Sequence, residues 1–319
     1  MATYLVTGGA GFIGSNLVTA LVERGETVRV LDNFSTGHRA NLAPVADRIE
    51  LMEGDIRDPE QVRQAVAGSD YILHQAALPS VPRSIADPLT SNAVNVTGTL
   101  TLLQAARQAG VKRLVQASSS SVYGDNPALP KQETMATRPM SPYAISKLAA
   151  EQYGRVFYQL YGFETVALRY FNVFGPRQDP GSQYAAVIPK FITAMLHGQP
   201  PTIYGDGRQS RDFTFIDNVV QANLRACTAP EAAGGVFNIA CGERYSLLDL
   251  LAHLAELTGS PAEAHHTAPR PGDVPHSQAD ISLARAVLGY EPAMTFGEGL
   301  ARTVAWLGEK INHRLHRFH

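Results

Sequence analysis

The chain is poor in features that would place it in several large classes of protein. Its 319 residues contain only two cysteines, Cys227 and Cys241, and one tryptophan. Two thiols so placed form neither a disulfide framework nor a metal-ligand motif, so a stapled secreted scaffold is excluded and a reducing, cytoplasmic location is expected. Histidines are scattered, and the pair His265-His266 has no cysteine or carboxylate at ligand spacing, so no metal is expected. An excess of one charge is also missing. The 27 basic and 29 acidic side chains leave a net charge of -2, which is no electrostatic footprint for nucleic acid or an anionic membrane. No apolar run approaches the roughly 20 residues of a membrane span, and the first residues enter a strand without a charged leader and apolar core. Internal repeats and low-complexity segments are absent as well. With 45% hydrophobic residues, the chain can bury one large or two moderate cores.

What is present begins at the N-terminus. The strand-like run Thr3-Tyr-Leu-Val-Thr7 leads into Gly8-Gly-Ala-Gly-Phe-Ile-Gly14, and a helix is expected from Ser15 to about Arg24. In the spacing G-x-x-G-x-x-G each glycine acts differently. Gly8 permits the tight turn, Gly11 lets backbone amides approach a pyrophosphate, and Gly14 lets helix pack on strand. A second strand, Thr27-Val-Arg-Val-Leu31, ends at Asp32. A carboxylate there accepts from both ribose hydroxyls and repels a 2′-phosphate, so NAD is expected over NADP.

Up to about Gly175 strand-like and helix-like stretches alternate, which predicts the α/β class and a doubly wound parallel (Rossmann) sheet. The third strand, Ile49 to Glu53, precedes Gly54-Asp55-Ile56, where Asp55 could accept from an adenine amine and Ile56 cover the ring. Asp70-Tyr-Ile-Leu-His74 is the fourth and leads to Gln75-Ala76-Ala77, small enough for backbone to run against a cofactor. Asn92 to Gly110 reads as a long helix with Asn95 near its start. Val111 to Ala117 is the fifth strand and delivers four serines, of which Ser119 and Ser120 are the better site candidates. Glu164 to Leu168 is the sixth. Beyond Pro176, prolines and glycines punctuate shorter elements. We expect a lid there, with a helix over 187–197, an extended piece at 201–204 and a closing helix over 300–314. A strand within Ser210 to Asp217 is expected to return to the main sheet, and Pro269 to Pro275 to form an ordered loop.

The centre of the chain is Ser141-Pro-Tyr-Ala-Ile-Ser-Lys147. Pro142 suits a first helical turn, which puts Tyr143 and Lys147 one turn apart on one face. A phenol with a pKa of about 10 is a poor base, and a fixed ammonium beside it is expected to pull that value toward neutrality.

With these motifs in order, the chain resembles the extended short-chain dehydrogenase/reductase superfamily, and within it the nucleotide-sugar 4-epimerases of the UDP-glucose/UDP-N-acetylglucosamine type. The likeness is carried by the glycine loop, Leu31-Asp-Asn33, Gly54-Asp-Ile56, the serine run ending Val-Tyr-Gly124, Tyr143 with Lys147, Arg169-Tyr-Phe-Asn172 and Arg211-Asp-Phe213. It implies that Tyr143 is the base and acid, that Lys147 holds the nicotinamide ribose, and that Ser119 bonds the sugar C4 oxygen with Ser120 beside it. It adds Phe12, Ile13, Asn33, Asn95, Ala117 and Tyr170 to the cofactor contacts. It places Asn172, the Val187 amide, Arg211 and Arg270 on the diphosphate, Tyr204 on uracil and Asp273 on the uridine ribose. The implied chemistry oxidises C4, lets the 4-keto sugar turn, and returns the hydride to its other face, with NAD bound throughout.

The same likeness separates neighbouring activities. Related 4,6-dehydratases carry an Asp-Glu pair where this chain has Ser120 and Ser121, so dehydration lacks its acid. A UDP-glucuronate 4-epimerase or decarboxylase remains the alternative, with a non-catalytic NAD-binding sensor behind it. Ser277 falls where some relatives carry a tyrosine that excludes an N-acetyl group, so UDP-GlcNAc and UDP-GalNAc are expected beside UDP-Glc and UDP-Gal. Leu78-Pro79 stands where some galactose-type enzymes carry a lysine. The expected division is a cofactor domain over 1–175 with about 213–241, and a smaller mixed α/β substrate domain over 176–212 and 242–319. A homodimer is implied by the resemblance.

Overall fold

The computed structural model describes residues 1–181, 186–269 and 275–315. Six strands alternate with helices through the first half: β1 (Thr3–Thr7), β2 (Thr27–Asp32), β3 (Glu50–Glu53), β4 (Tyr71–His74), β5 (Arg113–Ser119) and β6 (Glu164–Tyr170). A seventh strand, Val236–Ile239, pairs with β6, and the sheet runs from it through β6, β5, β4, β1 and β2 to β3. Every pairing is parallel, as the run of βαβ crossovers requires.

Alternation along the strands feeds two cores. On β1, Tyr4 and Val6 join the cluster that takes in α1 (Phe12–Glu23) and α8 (Ile216–Thr228), while Leu5 joins that of α2 (Pro59–Val66) and α5 (Thr99–Gln108). A strand covered on both faces reads as a continuous apolar run, which is why Thr3–Thr7 was legible. The order in which strands are added to the sheet reverses between β1 and β4, and open parallel sheets bind ligands beyond the carboxyl ends of the strands at such a point. The lid is built on α7 (Val187–Leu196), α9 (Leu247–Thr258) and α11 (Phe296–Leu315), with Thr202–Tyr204 paired to His265–Thr267. Among the described residues no helix is long and apolar enough to cross a membrane.

The boundaries differ from expectation where tertiary contacts decide them. The first helix starts at Phe12, inside the glycine motif and three residues before Ser15. The long helix begins earlier, in α4 (Pro88–Asn92), because the Asp87 side chain accepts from Thr90 N and caps it. It passes through a π-helical stretch, Ala93–Gly98, before α5. The strand expected within Ser210 to Asp217 does not return to the main sheet. It becomes two short strands, Ser210–Arg211 and Thr214–Phe215, paired to Tyr245–Ser246 and Val173–Phe174. Asp212 between them is fully buried, and its carboxylate accepts from the backbone N–H of Cys241, Gly242 and Ala279. That knot ties three segments together and turns the chain away from the sheet, leaving Val236–Ile239 to complete it.

Candidate active site

The site forms at the carboxyl rim of the sheet. The Gly8 amide donates to Leu31 O and its φ is +67°, a conformation that a side chain would strain. A Cβ on Gly8 would lie 2.6 Å from Ala76 N, and one on Gly14 2.1 Å from Gly8 O. Backbone therefore packs on backbone at both positions, leaving the start of α1 open beside a cleft of about 630 Å³. Gly11, Phe12 and Ile13 line that cleft with Gly8 and Gly14.

Asp32 stands at the tip of β2, buried, with Oδ2 accepting from Ala10 N and Oδ1 from Phe34 N, both at 2.8 Å. Each oxygen of an ionised carboxylate has a second acceptor site, so the group is fixed in place and still able to take two hydroxyls. Asp55, also lining the cleft, is held by the Arg57 guanidinium and by Asn33 Nδ2, and its pKa drops to about 2 on account of the hydrogen bond from Arg57. Asn33 and Ile56 line the same end, and Gln75, Ala76, Ala77 and Ala117 continue the wall under the opposite half. A slot with a carboxylate pair at one end, a backbone cradle in the middle and small residues at the other fits a dinucleotide without a 2′-phosphate.

Catalytic side chains enter from α6 (Pro142–Tyr161). Ser141 caps it by accepting from Ala144 N, Pro142 fills the first turn, and Ser84 Oγ accepts from Tyr143 N at 3.0 Å. Tyr143 and Lys147 thus sit one turn apart and both line the cleft. Lys147 Nζ donates to Ala117 O at 3.0 Å, and burial depresses its pKa to about 8. Burial pushes the Tyr143 phenol up, with its hydrogen bond to Ser119 pulling the other way. This corrects the expectation that Lys147 by itself brings the phenol toward neutrality. Burial disfavours the phenolate, and it disfavours the neighbouring ammonium as well.

The other candidates fall in three groups. Ser119 Oγ accepts from Ser121 N and Oγ as well as touching Tyr143, while Ser120 is half-buried in the turn Ser120–Tyr123, and neither lines the dinucleotide cleft. Tyr170 does line it, with its hydroxyl bonded to Asn223 and Gln75. Burial raises that phenol as well, so it stays protonated. Asn95 lies behind the wall: Oδ1 accepts from Leu78 N, and Nδ2 donates to Leu78 O and Ser146 Oγ. Its polar atoms tie the β4 loop to α6, and Asn95 does not line the cleft.

A second cavity of about 560 Å³ adjoins the first, with Ala186 lining both. Asn172, Val187, Tyr204 and Arg211 line it. Arg211 Nη1 donates to Ser210 O and Pro275 O, and Asn172, at φ +35°, donates to Asp212 O and to Ser277 Oγ. Ser277 thus touches a residue of the second cavity. Arg270 and Asp273 lie outside the described residues. Sequence reasoning missed His38, Arg177, Gln178 and Asp179 on the dinucleotide cleft; no local motif marks them, because they meet only through the fold. Among the described residues no cluster of side chains could hold a metal ion.

Comparison with known proteins agrees with this geometry. Residues 4–240 match the family described as "NAD dependent epimerase/dehydratase family". A UDP-glucose 4-epimerase of Mycolicibacterium smegmatis is 42% identical over 310 residues, covering 96% of this chain and 98% of its own. The solved structure of a UDP-N-acetylglucosamine 4-epimerase from Methanobrevibacter ruminantium, in complex with UDP-N-acetylmuramic acid, superposes with a TM-score of 0.93 at 40% identity, covering 97% and 99% of the two chains. A Thermus thermophilus UDP-glucose 4-epimerase in complex with NAD gives 0.87 at 39% identity, covering 95% and 98%.

Proposed function

The chain belongs to the NAD dependent epimerase/dehydratase family, and from that premise we propose that it is a 4-epimerase of UDP-hexoses, interconverting UDP-Glc with UDP-Gal and UDP-GlcNAc with UDP-GalNAc. It is an NAD-dependent isomerase. The observation that carries the substrate reading is the juxtaposition of two cavities. Tyr143 and Lys147 line the dinucleotide cleft with Ser119 bonded to the tyrosine, and Arg211, Asn172 and Tyr204 line the adjoining hollow.

Tyr143 takes the proton of the C4 hydroxyl and later returns it, with Ser119 bonding the C4 oxygen and Ser120 beside it. When bound, NAD supplies the acceptor for the C4 hydride and gives it back after the keto sugar has turned. Lys147, whose Nζ is aimed at the cleft wall through its bond to Ala117 O, holds a ribose hydroxyl. Arg211, the amide at the start of α7 and Asn172 grip the diphosphate, and Tyr204 stacks on uracil, with Arg270 and Asp273 completing that end. Binding energy remote from the reacting carbon anchors the intermediate while the hexose rotates. Ser277, bonded through Oγ to Asn172, leaves room for an acetamido group. In this division of labour 1–175 with about 213–241 holds the cofactor, and 176–212 with 242–319 the nucleotide sugar, in a cytoplasmic enzyme.

Purified protein is incubated, without added NAD, with UDP-Glc, UDP-GlcNAc and UDP-GlcA, and products are resolved by chromatography and mass. C4 epimers of the first two at unchanged mass are expected. Loss of carbon dioxide from UDP-GlcA, or epimerisation of that sugar alone, would transfer the assignment to the uronic-acid enzymes. Ser277→Tyr should depress the acetamido reactions relative to the plain ones, and an unchanged ratio would remove Ser277 from specificity.

A further inference from the structure

The run Pro176–Asp179 has no part in the chemistry above, yet three of its residues line the dinucleotide cleft. One end is pinned to α1. Asn16 Nδ2 donates to Pro176 O at 3.2 Å, and Arg177 Nη1 donates to Ser15 O at 2.7 Å and to Thr19 Oγ1 at 2.8 Å. Arg177 holds φ +73°, a left-handed conformation that costs a non-glycine residue and persists only where surrounding contacts enforce it. The other end reaches across to the loop after β2, where the Asp179 carboxylate lies 3.5 Å from His38 Nε2. Since His38 also lines the cleft, this contact spans its mouth.

Between these anchors Gln178 is oriented by its own amide. Nε2 donates to Val173 O at 3.2 Å, which fixes Oε1 on the opposite side. That oxygen is buried, and among the described residues it has no hydrogen-bond partner. Buried acceptors are nearly always bonded, and an orphan in a site points to a group that arrives with a ligand. The donors a dinucleotide offers to such an oxygen are ribose hydroxyls and the carboxamide N–H.

We propose that Pro176–Asp179 is a strap that retains NAD: Gln178 Oε1 accepts a hydrogen bond from the bound dinucleotide, and the His38–Asp179 contact fastens the strap to the loop beyond Asp32. The inference needs NAD as cofactor and is independent of which sugar is turned over. Retention matters to any reaction in which the hydride taken from a substrate must be returned to that same molecule, because a dinucleotide that escaped would leave the sugar oxidised.

The test reads cofactor release and not turnover. NAD-loaded protein is diluted into excess competing dinucleotide, and the rate of NAD loss is followed by rapid gel filtration and quantitation. Gln178→Met keeps the length of the side chain and removes the acceptor; it should release NAD about tenfold faster, with the melting temperature of the NAD-free protein unchanged. His38→Ala and Asp179→Asn, at exposed positions that tolerate replacement, should each speed release about two- to fivefold, and the double variant no more than the faster single one. A parental release rate in Gln178→Met would overturn the ligand bond. Unchanged rates in both exposed variants, or effects that multiply in the double variant, would overturn the fastening. All three readouts stand if the protein acts on a different nucleotide sugar.

Discussion

Tyr143 shows how far one side chain depends on its surroundings. Burial raises its phenol and lowers Lys147, so the protein alone keeps the tyrosine protonated, and the positive charge that NAD would bring when bound would favour the phenolate. Tyr143→Phe removes only the hydroxyl and should cut kcat by about 10² to 10⁴ while the protein still co-purifies with NAD. Single-turnover assays with quantified NAD check this, and an undiminished rate would transfer the acid-base role elsewhere. His74 makes the second prediction at this scale. It is wholly buried between the Thr7 and Thr99 hydroxyls, and burial depresses its pKa to about 3 from 6.5. A group depressed in the folded state keeps the fold stable above the unfolded value and withdraws that stability as pH falls. His74 should therefore weaken the protein from about pH 6.5 down toward 3. In His74→Gln the melting temperature should vary less between pH 7 and 4 than in the parent, and parallel curves would exclude the histidine as a source. Much at this scale was legible, because Gly8, Gly14 and Asp32 act through their own backbone and strand-end position. Asn95 was legible as a candidate, whereas its bonds to Leu78 and Ser146 were not, since packing alone brings those partners to it.

Helix α6 is held by a device two turns below its tyrosine. Glu151 is buried and accepts from Ser118 Oγ on β5 at 2.8 Å and from Arg169 on β6 at 2.6 and 3.0 Å. Those strands end in Ser119 and Tyr170, so one carboxylate registers the catalytic helix on both. Glu151→Ala would leave Arg169 buried without its anion and should cost about 3–5 kcal/mol. Urea unfolding measures it, and a loss below about 1 kcal/mol would show that the helix is located by its apolar face alone. The sequence pattern predicts α6 from Pro142 and its alanine-rich turns, whereas nothing local announces that an arginine on a following strand completes it. The same blindness explains why the strand expected within 210–217 does not return to the main sheet. Thr214–Phe215 has strand character, but the direction of the chain is set by Asp212 and by amides contributed from residues 241, 242 and 279.

At the scale of the molecule, α6 leaves Ile145, Tyr153, Val156 and Leu160 more than a third exposed along one stripe, and Leu89 of α4 is 82% exposed. We propose that these helices pair with a second copy, since a contiguous apolar stripe on a surface helix marks an interaction site. Val156→Glu with Leu160→Glu should convert a homodimer of about twice 34.4 kDa to monomer in light scattering coupled to gel filtration. A parent already monomeric would dispose of the idea. The cofactor half was readable in order from the N-terminus because βαβ units are local. The lid was readable only as punctuation, because its short strands find partners far along the chain.

The contact between Asn172 and Ser277 joins positions 105 residues apart, and Asn16 reaches 160 residues to Pro176. A polypeptide still emerging from the ribosome has the glycine loop and Tyr143 long before it has the segments that grip them. The hollow lined by Asn172 therefore cannot take its final shape until residue 277 has been made, and the start of α1 waits for residue 176 before its own fastening is complete.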